Sequence, residues 1–373
     1  MIVCYIKSTT KERLIFLFYM SCFFVLVYGQ REKSMSHYTS NDDLFSYHDK
    51  KRIRFIDLCA GIGGGRLGLE HAGFQCVGFS EILHSSIETY KQFFETTNEC
   101  ELGDLTKLDI GDIPDADVLI AGFPCQTFSI VGKRAGFQDE RGQIIFHISK
   151  ILKEKKIKYF ILENVKGLVN HDHGKTIKTI TRLLEDTGYV VYQKVLKSND
   201  YGLPQKRERV YFVGIRKDLP NTEFVFPEAY KQQPRIEDFL IEEDVKYEVS
   251  DMTTMNKYLD NKYNHGKYVL SNILKEDFLV VDTRQSDLRF FRNYVPTLRT
   301  GRSGIMYVKN GKLRRLSGRE SLLLQGFDRN IINKSKNNND SVLLQQTGNA
   351  MSVNVIEAIA NGLKETMKKN GDI

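Results

Sequence analysis

The amino-acid sequence predicts an α/β protein with a mainly parallel central sheet. Between residues 53 and 215, short apolar runs alternate with segments of helical period, which is the pattern of βαβ units. The run 117–121 is apolar after its first residue and is typical of a strand buried on both faces. Several runs end in a glycine, a carboxylate or a thiol, and such ends meet at one edge of a parallel sheet.

The predicted elements follow one another closely along the chain. Apolar positions recur every three or four residues in the helical segments, and Gly73 and Gly188 end two of them. Strands are predicted over 52–58, 75–80, 117–121, 158–162, 190–196 and 209–215. Helices are predicted over 66–72, 142–155, 176–187 and 352–369. A further short strand is expected before Asp104, and the polar residues 333–340 are expected to form a loop.

The regular alternation stops near residue 216. Residues 216–295 are rich in Tyr, Asn, Lys and Asp, and they show no sustained period. We therefore predict two domains. Residues 51–215 and 345–373 form the first, and residues 216–344 form a smaller and irregular second domain.

Residues 1–50 are predicted to lie outside the fold as an N-terminal extension. The apolar stretch 14–28 follows Lys11 and Arg13, as in the charged and apolar regions of a signal peptide. It is shorter than the ~20 residues that a membrane span requires. We favour an upstream extension of the reading frame, with Met35 as the working start and no membrane anchor.

Composition limits the class of protein. The chain has 373 residues, six cysteines without disulfide or zinc spacing, and a formal net charge of +7. This cysteine usage fits a reduced, cytoplasmic compartment, and the charge is compatible with a polyanionic partner without strongly indicating one. His171 and His173 have no third ligand in view, so we expect a solvated loop there and no metal.

A glycine loop and an acidic residue form the first candidate site. Gly61 and Gly63 follow the first predicted strand, and Glu81 lies twenty residues after Gly61, at the end of the second. This spacing suits a carboxylate that accepts hydrogen bonds from ribose hydroxyls, in an NAD-type fold or in a methyl-donor fold. A tight turn that packs a helix on a strand is the alternative.

Two reactive side chains follow other predicted strands. Cys125 comes after Gly122 and Pro124, which place its thiol on a fixed loop at the carboxyl edge of the sheet. Glu163 follows a buried strand, where burial favours the protonated acid, so it is suited to donate to a ring nitrogen or to act as a general acid. A helix N-cap is the alternative for Glu163.

Basic residues precede the last predicted strand of the sheet. In an extended segment, alternation places Gln205, Arg207 and Arg209 on one side, and two guanidinium groups on one face suit a phosphate or a polarised carbonyl. A solvated basic edge is the alternative, and taken alone this segment favours it. Residues 263–268 and 284–302 interleave basic and aromatic residues, as nucleic-acid surfaces and ordinary surfaces both do.

Taken together, five segments resemble the ordered motifs of the DNA cytosine-5 methyltransferases. These segments are 57–70, 122–129, 163–165, 205–210 and 346–355, within a resemblance that spans residues 53–365. The resemblance implies a Rossmann-like, S-adenosylmethionine-dependent methyltransferase domain, with residues 216–344 as a target-recognition domain. It also implies double-stranded DNA as the partner, and we expect a monomer.

The resemblance assigns roles to single residues. Cys125 is the expected nucleophile toward cytosine C6, and Glu163 is expected to hold N3 and the exocyclic amine. Arg207 and Arg209 are expected to brace the base and its phosphate. The residues expected to bind S-adenosylmethionine are Asp57, Gly61, Gly63, Glu81, Asp104, Leu105, Pro124 and Asn349. The residues expected to contact DNA are Gln126, Ser129, Gln205 and Thr297.

Three positions depart from the pattern of this family. Cys59 and Ile82 stand where the family has aromatic residues near the adenine of the cofactor, which implies weaker stacking without loss of binding. Gly318 replaces a frequent proline. None of the three removes a residue that the resemblance assigns to the chemistry.

The resulting prediction is a sequence-specific DNA cytosine-5 methyltransferase of a restriction–modification system, which flips its target cytosine out of the duplex. A tRNA cytosine-5 methyltransferase on the same fold stays open as an alternative. A catalytically silent DNA-binding relative is a second alternative, and the presence of Cys125, Glu163, Arg207 and Arg209 argues against it. The loop of Pro124 and Cys125 disfavours an NAD-dependent oxidoreductase.

Overall fold

A seven-stranded sheet forms the centre of the structure, a computed structural model that describes residues 52–124, 144–301 and 304–373. The strands of the first half of the chain are β1 Arg54–Leu58, β2 Gln75–Ser80, β3 Cys100–Glu101, β4 Val118–Gly122, β5 Tyr159–Val165, β6 Tyr189–Lys197, β7 Gln205–Lys206 and β8 Glu208–Arg216. The sheet has the order β3-β2-β1-β4-β5-β8-β6. The pairs from β3 to β5 are parallel, whereas β8 runs antiparallel to both of its neighbours.

Helices pack on the sheet, and further helices lie in the second half of the chain. They are α1 Gly64–His71, α2 His84–Phe93, α3 Ile144–Glu154, α4 Gly167–Asn170, α5 Lys175–Asp186, α6 Thr253–Leu259, α7 Leu270–Ile273, α8 Gly318–Leu324, α9 Arg329–Lys334, α10 Asp340–Asn349 and α11 Val353–Lys369. The predicted strand over 75–80 coincides with β2, and the helix predicted over 352–369 is α11, with Ser352 at its N-cap. The short strand expected before Asp104 is β3.

Apolar residues of the central strands alternate between two hydrophobic clusters. Phe55 of β1 and Val118 of β4 belong to one cluster, together with residues of α1 and α11. Ile56 and Leu119, their neighbours along the same strands, belong to the other cluster, together with residues of α3 and α5. Successive side chains of a strand point to opposite faces, so both faces of the sheet are covered. This explains why the strands read as continuous apolar runs.

A smaller, antiparallel sheet lies in the second half of the chain. The strands in this half are β9 Val280–Asp282, β10 Arg289–Phe291, β11 Val295–Pro296, β12 Ile305–Lys309 and β13 Lys312–Arg315. Four of these strands form a sheet in the order β10-β9-β12-β13, whereas β11 pairs in parallel with β7. Residues 51–373 form one compact unit, so the boundaries proposed at 215 and 344 stay a prediction.

The polar segment 333–340 is not a loop, as the sequence led us to expect. Helix α9 continues to Lys334, a 3₁₀ turn covers Ser335–Asn337, and α10 begins at Asp340. The side chain of Asn339 accepts hydrogen bonds from the amides of Ser341 and Val342, which caps α10. Asparagine is a strong N-cap residue, so polar residues here serve helix ends instead of a coil.

The pair of helices α1 and α11 gives a first test of the packing. A Cβ built on Gly68 would lie 2.7 Å from both Cβ of Ile356 and the carbonyl oxygen of Val353. We therefore expect Gly68→Ala to lower the free energy of unfolding by roughly 1–3 kcal/mol through overpacking. A Cβ on Gly362 of α11 would meet its nearest atoms at 3.5 Å.

The matched control Gly362→Ala is accordingly expected to stabilise the protein by up to ~1 kcal/mol, because alanine is the better helix former. Urea unfolding of both variants measures the two signs. Equal effects of the two substitutions would contradict the close helix contact at Gly68.

Candidate active site

The ends of four neighbouring strands bring predicted site residues together. In the register of the sheet, Leu58 of β1 lies beside Ser80 of β2 and Ala121 of β4. Ala121 in turn lies beside Leu162 of β5. The residues that come next on these strands are Cys59, Glu81, Gly122 and Glu163. They form a row at the carboxyl edge of the parallel strands, where open α/β sheets bind ligands.

Backbone amides anchor the carboxylate of Glu81. The N–H of Gly61 donates to Oε2 at 2.8 Å, and the N–H groups of Ile82 and Leu83 donate to Oε1 at 2.7 and 2.9 Å. Gly61 and Gly63 take left-handed φ angles of +57° and +84°, which favour glycine. A Cβ built on Gly61 would have no described atom within 4 Å, so this loop borders open space.

Asp57 of β1 is a fully buried carboxyl group at the end of the strand that leads into the glycine loop. Its Oδ2 accepts a hydrogen bond from the hydroxyl of Tyr90 at 3.4 Å, and its Oδ1 has no hydrogen-bond partner among the residues that the structure describes. Burial raises the pKa of Asp57 to about 8, although nearby Arg66 acts in the opposite direction. Oδ1 of Asp57 is therefore a buried acceptor without a hydrogen-bond partner among the described residues.

The raised pKa of Asp57 has a consequence for stability. Between pH 4 and pH 8 the folded chain keeps a proton that the unfolded chain loses, so raising the pH across this window favours unfolding. We expect Asp57→Asn, which cannot ionise, to raise the free energy of unfolding more at pH 8 than at pH 4.5. Urea unfolding across this pH range measures the difference. A gain that is independent of pH would show that Asp57 is ionised in the folded protein.

Cys59 and Ile82, the two departures near the expected adenine, differ in character. Cys59 has a left-handed φ of +53° and is partly buried, and burial raises the pKa of its thiol to about 12. The thiol is therefore neutral near pH 7 and behaves as a small apolar group. Ile82 is 69% exposed immediately after the anchored Glu81, which leaves an apolar surface beside the carboxylate.

The remaining predicted cofactor residues differ in exposure. Oδ1 of Asp104 accepts hydrogen bonds from the amide and hydroxyl of Thr106 at 2.9 and 2.8 Å, and the amide bond, followed by the hydroxyl bond, lowers the pKa of Asp104. Leu105 is buried beside it. Pro124 and Asn349 are exposed. Asp104 and Leu105 thus hold a fixed turn, whereas Pro124 and Asn349 are accessible to a ligand.

The segment that carries Asn349 is held by glycine contacts. A Cβ built on Gly348 would lie 2.3 Å from the amide nitrogen of Thr300. A Cβ built on Gly64 of α1 would lie 2.4 Å from the carbonyl oxygen of Met351. Only glycine permits such close approach of two backbones, so this segment is packed tightly against the start of α1 and against residue 300.

The expected nucleophile Cys125 lies outside the described residues, as do Gln126 and Ser129. The chain that leads to it is described up to Pro124, and the carbonyl oxygen of Phe123 accepts a hydrogen bond from Nδ2 of Asn164 at 2.9 Å. Asn164 is buried on β5, next to Glu163. No role was predicted for Asn164; its position directly after Glu163, at the end of a buried strand, is the signal in the sequence that could have indicated one.

Glu163 and Arg209 form a buried ion pair at the same edge. Nε of Arg209 lies 3.0 Å from Oε1 of Glu163, and their side chains are 13% and 9% exposed. Oε1 is buried and makes no hydrogen bond to any described residue, so the ion pair is its contact with Arg209. The alternative role of Glu163 as a helix N-cap is wrong, because Glu163 lies within β5 and Lys166 occupies the N-cap of α4.

Arg207 is buried and its side chain bonds to backbone. It donates through Nη1 to the carbonyl oxygens of Leu298 and Gly348 at 3.2 and 3.1 Å, and through Nη2 to that of Ala350 at 2.8 Å. Burial and the charge of Arg209 lower the pKa of Arg207 to about 9. The solvated basic edge is therefore wrong for Arg207. The expected direct contact with the base or its phosphate is also not available in this arrangement, since Arg207 instead ties three chain segments together.

Gln205 also differs from the sequence-based expectation, whereas the DNA contact of Thr297 stays a prediction. Gln205 is fully buried; its Nε2 donates to the carbonyl oxygen of Leu324 at 2.8 Å, and its Oε1 accepts from the amide of Leu298 at 3.0 Å. The expected DNA contact of Gln205 therefore needs correction, because both ends of the amide are used in the interior. Thr297 is partly exposed and donates its hydroxyl to the carbonyl oxygen of Lys206 at 2.6 Å.

Comparison with known proteins identifies the family. Residues 53–365 match the family described as C-5 cytosine-specific DNA methylase. The chain belongs to this family. The Type II methyltransferase M1.ScrFI of Lactococcus lactis subsp. cremoris is 38% identical over 333 residues, which are 87% of this chain and 82% of that protein. The Type II methyltransferase M.HaeII of Haemophilus aegyptius is 40% identical over 319 residues, which are 84% and 93% of the two chains.

The solved structure of the Dnmt2 methyltransferase of S. pombe has the same fold, with a TM-score of 0.61, 19% identity, and coverage of 85% of this chain and 99% of that one. This enzyme is thus a DNA cytosine-5 methyltransferase with a Rossmann-like α/β fold, as the sequence predicted. Membership of the family implies S-adenosylmethionine as the methyl donor and DNA as the substrate.

Neither a metal site nor a membrane-spanning helix is present among the described residues of this enzyme. Among the described residues, no group of His, Cys, Asp and Glu side chains has the arrangement of a metal site. His171 and His173 lie in a 3₁₀ turn. No helix within the described ranges is long and apolar enough to cross a membrane. The apolar stretch 14–28 lies outside those ranges.

Proposed function

We propose that this enzyme methylates a cytosine within a specific DNA sequence after flipping that base out of the duplex, with Cys125 as the nucleophile. The buried pair of Glu163 and Arg209 carries the proposal, because it places an oriented carboxyl group at the sheet edge where the chain leads to Cys125. A base inside a duplex cannot reach such a site, so flipping is required.

The chemistry starts from the weak nucleophilicity of cytosine C5. The thiolate of Cys125 adds to C6 while Glu163 holds N3 and the exocyclic amine, and the electron pair of the C5–C6 double bond becomes available at C5. S-adenosylmethionine, when bound, supplies the methyl group that C5 receives. A base then removes the C5 proton, the double bond re-forms, and the thiolate of Cys125 leaves.

Arg209 and Arg207 play different parts in this proposal. Arg209 holds the carboxyl group of Glu163 through its contact at 3.0 Å, and its Nη1 donates to the carbonyl oxygen of Glu208 at 2.9 Å. Its Nη2 group is the one suited to the base or its phosphate. Arg207 does not contact this pair in our proposal. Its bonds to the carbonyl oxygens of Leu298, Gly348 and Ala350 fix the start of the strand that carries Arg209. It is therefore a positioning residue in our proposal.

The row of residues at the end of β1 and β2 is suited to S-adenosylmethionine. Glu81 is held by three amides and retains acceptor capacity for the ribose hydroxyls. Asp57, on the strand that leads into the glycine loop, is assigned to the same cofactor, and the exposed Ile82 offers apolar surface to the adenine. We assign the same cofactor to Gly61, Gly63, Asp104, Leu105, Pro124 and Asn349.

DNA would lie across the side of the molecule where Thr297 is exposed, with residues 216–344 reading the sequence and Gln126, Ser129 and Thr297 close to the flipped base. Phosphate contacts supply most of the affinity in such complexes. The relatives named Type II methyltransferases support a role in a restriction–modification system, in which this enzyme would protect DNA from a cognate endonuclease. We propose that it acts as a monomer.

The decisive experiment supplies tritiated S-adenosylmethionine with duplex DNA or with tRNA and maps the label. We expect transfer to cytosine C5 of the DNA within one sequence context. Label in tRNA alone would overturn the proposal in favour of a tRNA methyltransferase. Absence of label from both substrates, with S-adenosylmethionine still bound, would point to a catalytically silent relative.

A further inference from the structure

Arg284 connects the smaller sheet to the strand that carries the catalytic pair. Its guanidinium is held by Asp282 of β9, through Nε to Oδ1 at 2.8 Å and Nη2 to Oδ2 at 3.1 Å. The two side chains are 7% and 0% exposed. The remaining group, Nη1, donates to the carbonyl oxygen of Thr297 at 2.7 Å. A buried pair that also bonds to a third backbone segment is rigid in its orientation.

The segment that receives this bond is joined to the catalytic strand. Val295 and Pro296 of β11 pair with Gln205 and Lys206 of β7, and the hydroxyl of Thr297 donates to the carbonyl oxygen of Lys206 at 2.6 Å. Two further bonds, described above, join Leu298 to Gln205 and Arg207. The carbonyl of Thr297 is therefore a polar contact between the smaller sheet and a segment that is bonded to residues 205–207, beside the apolar packing of Val280 with Val295 and Leu298.

This series of contacts ends at the ion pair of Glu163 and Arg209, where we propose that the cytosine is held. Residue 209 follows two residues after Arg207, and its guanidinium lies 3.0 Å from Oε1 of Glu163. The path runs from Asp282 through Arg284 to the backbone at residue 297, from there to residues 205–207, and then to the ion pair. Each step of this path is a hydrogen bond, an ion pair or a backbone connection.

We infer that Arg284, oriented by Asp282, is a positioning residue that transmits the placement of the smaller sheet on DNA to the strand that holds Glu163 and Arg209 in register. The inference rests on the proposed function, since it requires that the smaller sheet engages DNA. In this role Arg284 touches neither the base nor the cofactor. It fixes the distance between the surface that recognises DNA and the group that holds the flipped cytosine.

A pair of variants tests the role of Arg284. Arg284→Gln with Asp282→Asn replaces the two buried charges by neutral amides, and glutamine is too short to span both partners. Arg289, whose Nη2 lies 3.6 Å from Oδ2 of Asp282, loses this partner in the variant, but its side chain is 39% exposed. We expect the rate of a single methylation turnover at saturating DNA to fall at least tenfold. The dissociation constants for S-adenosylmethionine and for DNA should each change less than threefold.

The matched control uses an ion pair that lies outside residues 216–344. Nζ of Lys155 lies 3.1 Å from Oδ1 of Asp115, whose side chain is 80% exposed. Lys155→Gln with Asp115→Asn should leave the turnover rate within twofold of the wild type. The single variant Arg284→Lys, which keeps the charge, should recover part of the lost rate.

The outcomes separate three cases. If the wild type transfers no methyl group to DNA, the proposed function fails and the role of Arg284 falls with it. If the wild type is active and the Arg284 variants turn over at its rate on saturating DNA, the inference alone is wrong. Loss of S-adenosylmethionine binding in parallel with activity would also overturn it, because Arg284 would then support the fold as a whole.

Discussion

Replacing Cys125 with serine is expected to abolish DNA methylation while leaving the binding of S-adenosylmethionine intact. The thiolate is the species that adds to C6, and a serine hydroxyl keeps its proton near neutral pH and is a far weaker nucleophile. The loss of turnover should reach roughly 10⁴-fold or more, the scale on which enzymes lose rate when their nucleophile is removed. Tritium transfer measures turnover, and calorimetry measures cofactor binding.

A covalent trap makes this prediction specific. DNA that carries 5-fluorocytosine at the target position holds the adduct, because fluorine cannot leave C5 as a proton does. We expect the wild type to form an adduct that mass spectrometry detects, and Cys125→Ser to form none. Cys100→Ser is the matched control, since Cys100 is a free and exposed cysteine of β3. Adduct formation by Cys125→Ser, or its loss in the Cys100 variant, would contradict the assignment of the nucleophile.

Replacing Glu163 with glutamine should give the second largest loss. Glutamine has nearly the same size as glutamate, but it cannot pair with the charge of Arg209 and cannot exchange a proton with N3 of cytosine. General acid–base groups contribute roughly 10²–10⁴-fold to a rate, and we expect a loss of this size in the turnover of bound DNA. The affinity for S-adenosylmethionine should stay within about threefold, because the cofactor residues lie on other strands.

Glu208→Gln is the matched control for this change. Glu208 lies next to Arg209 on β8 and pairs with Lys166 at 3.0 Å, but its side chain is 28% exposed and it belongs to no candidate site. Its variant should keep near-normal turnover. If Glu163→Gln and Glu208→Gln lost activity equally, the carboxyl group of Glu163 would have no special part in holding the cytosine.

The central sheet and the edge that carries the candidate site could be predicted from the sequence, because both depend on local patterns. The apolar runs of β1, β2, β4 and β5 are long enough to identify buried strands, and the parallel order makes their ends converge. The position of Glu163 after such a run was therefore predictable. The ion pair of Glu163 with Arg209 was less predictable, because it depends on the antiparallel pairing of β8 with β5.

The roles of Gln205 and Arg207 could not be predicted in the same way. Both side chains are bonded to backbone that lies 91 or more residues away in the sequence, as in the contact of Arg207 with Leu298. No local pattern shows whether a charged side chain will find carbonyl partners of this kind or face solvent. The same limit applied to 333–340, where polar residues were interpreted as coil although Asn339 serves as a helix cap.

Because α11 packs against α1, the core on one face of the main sheet is completed only when the last residues have been synthesised. The cluster that contains Phe55 and Val118 needs Val355, Ile356 and Leu363 to cover it, and these residues are made nearly last. A growing chain that has reached residue 300 therefore exposes one apolar face of its main sheet and lacks the segment that carries Asn349. Such a nascent chain lacks both a finished core and a residue that we propose to bind S-adenosylmethionine, so we expect an interrupted translation product not to modify DNA.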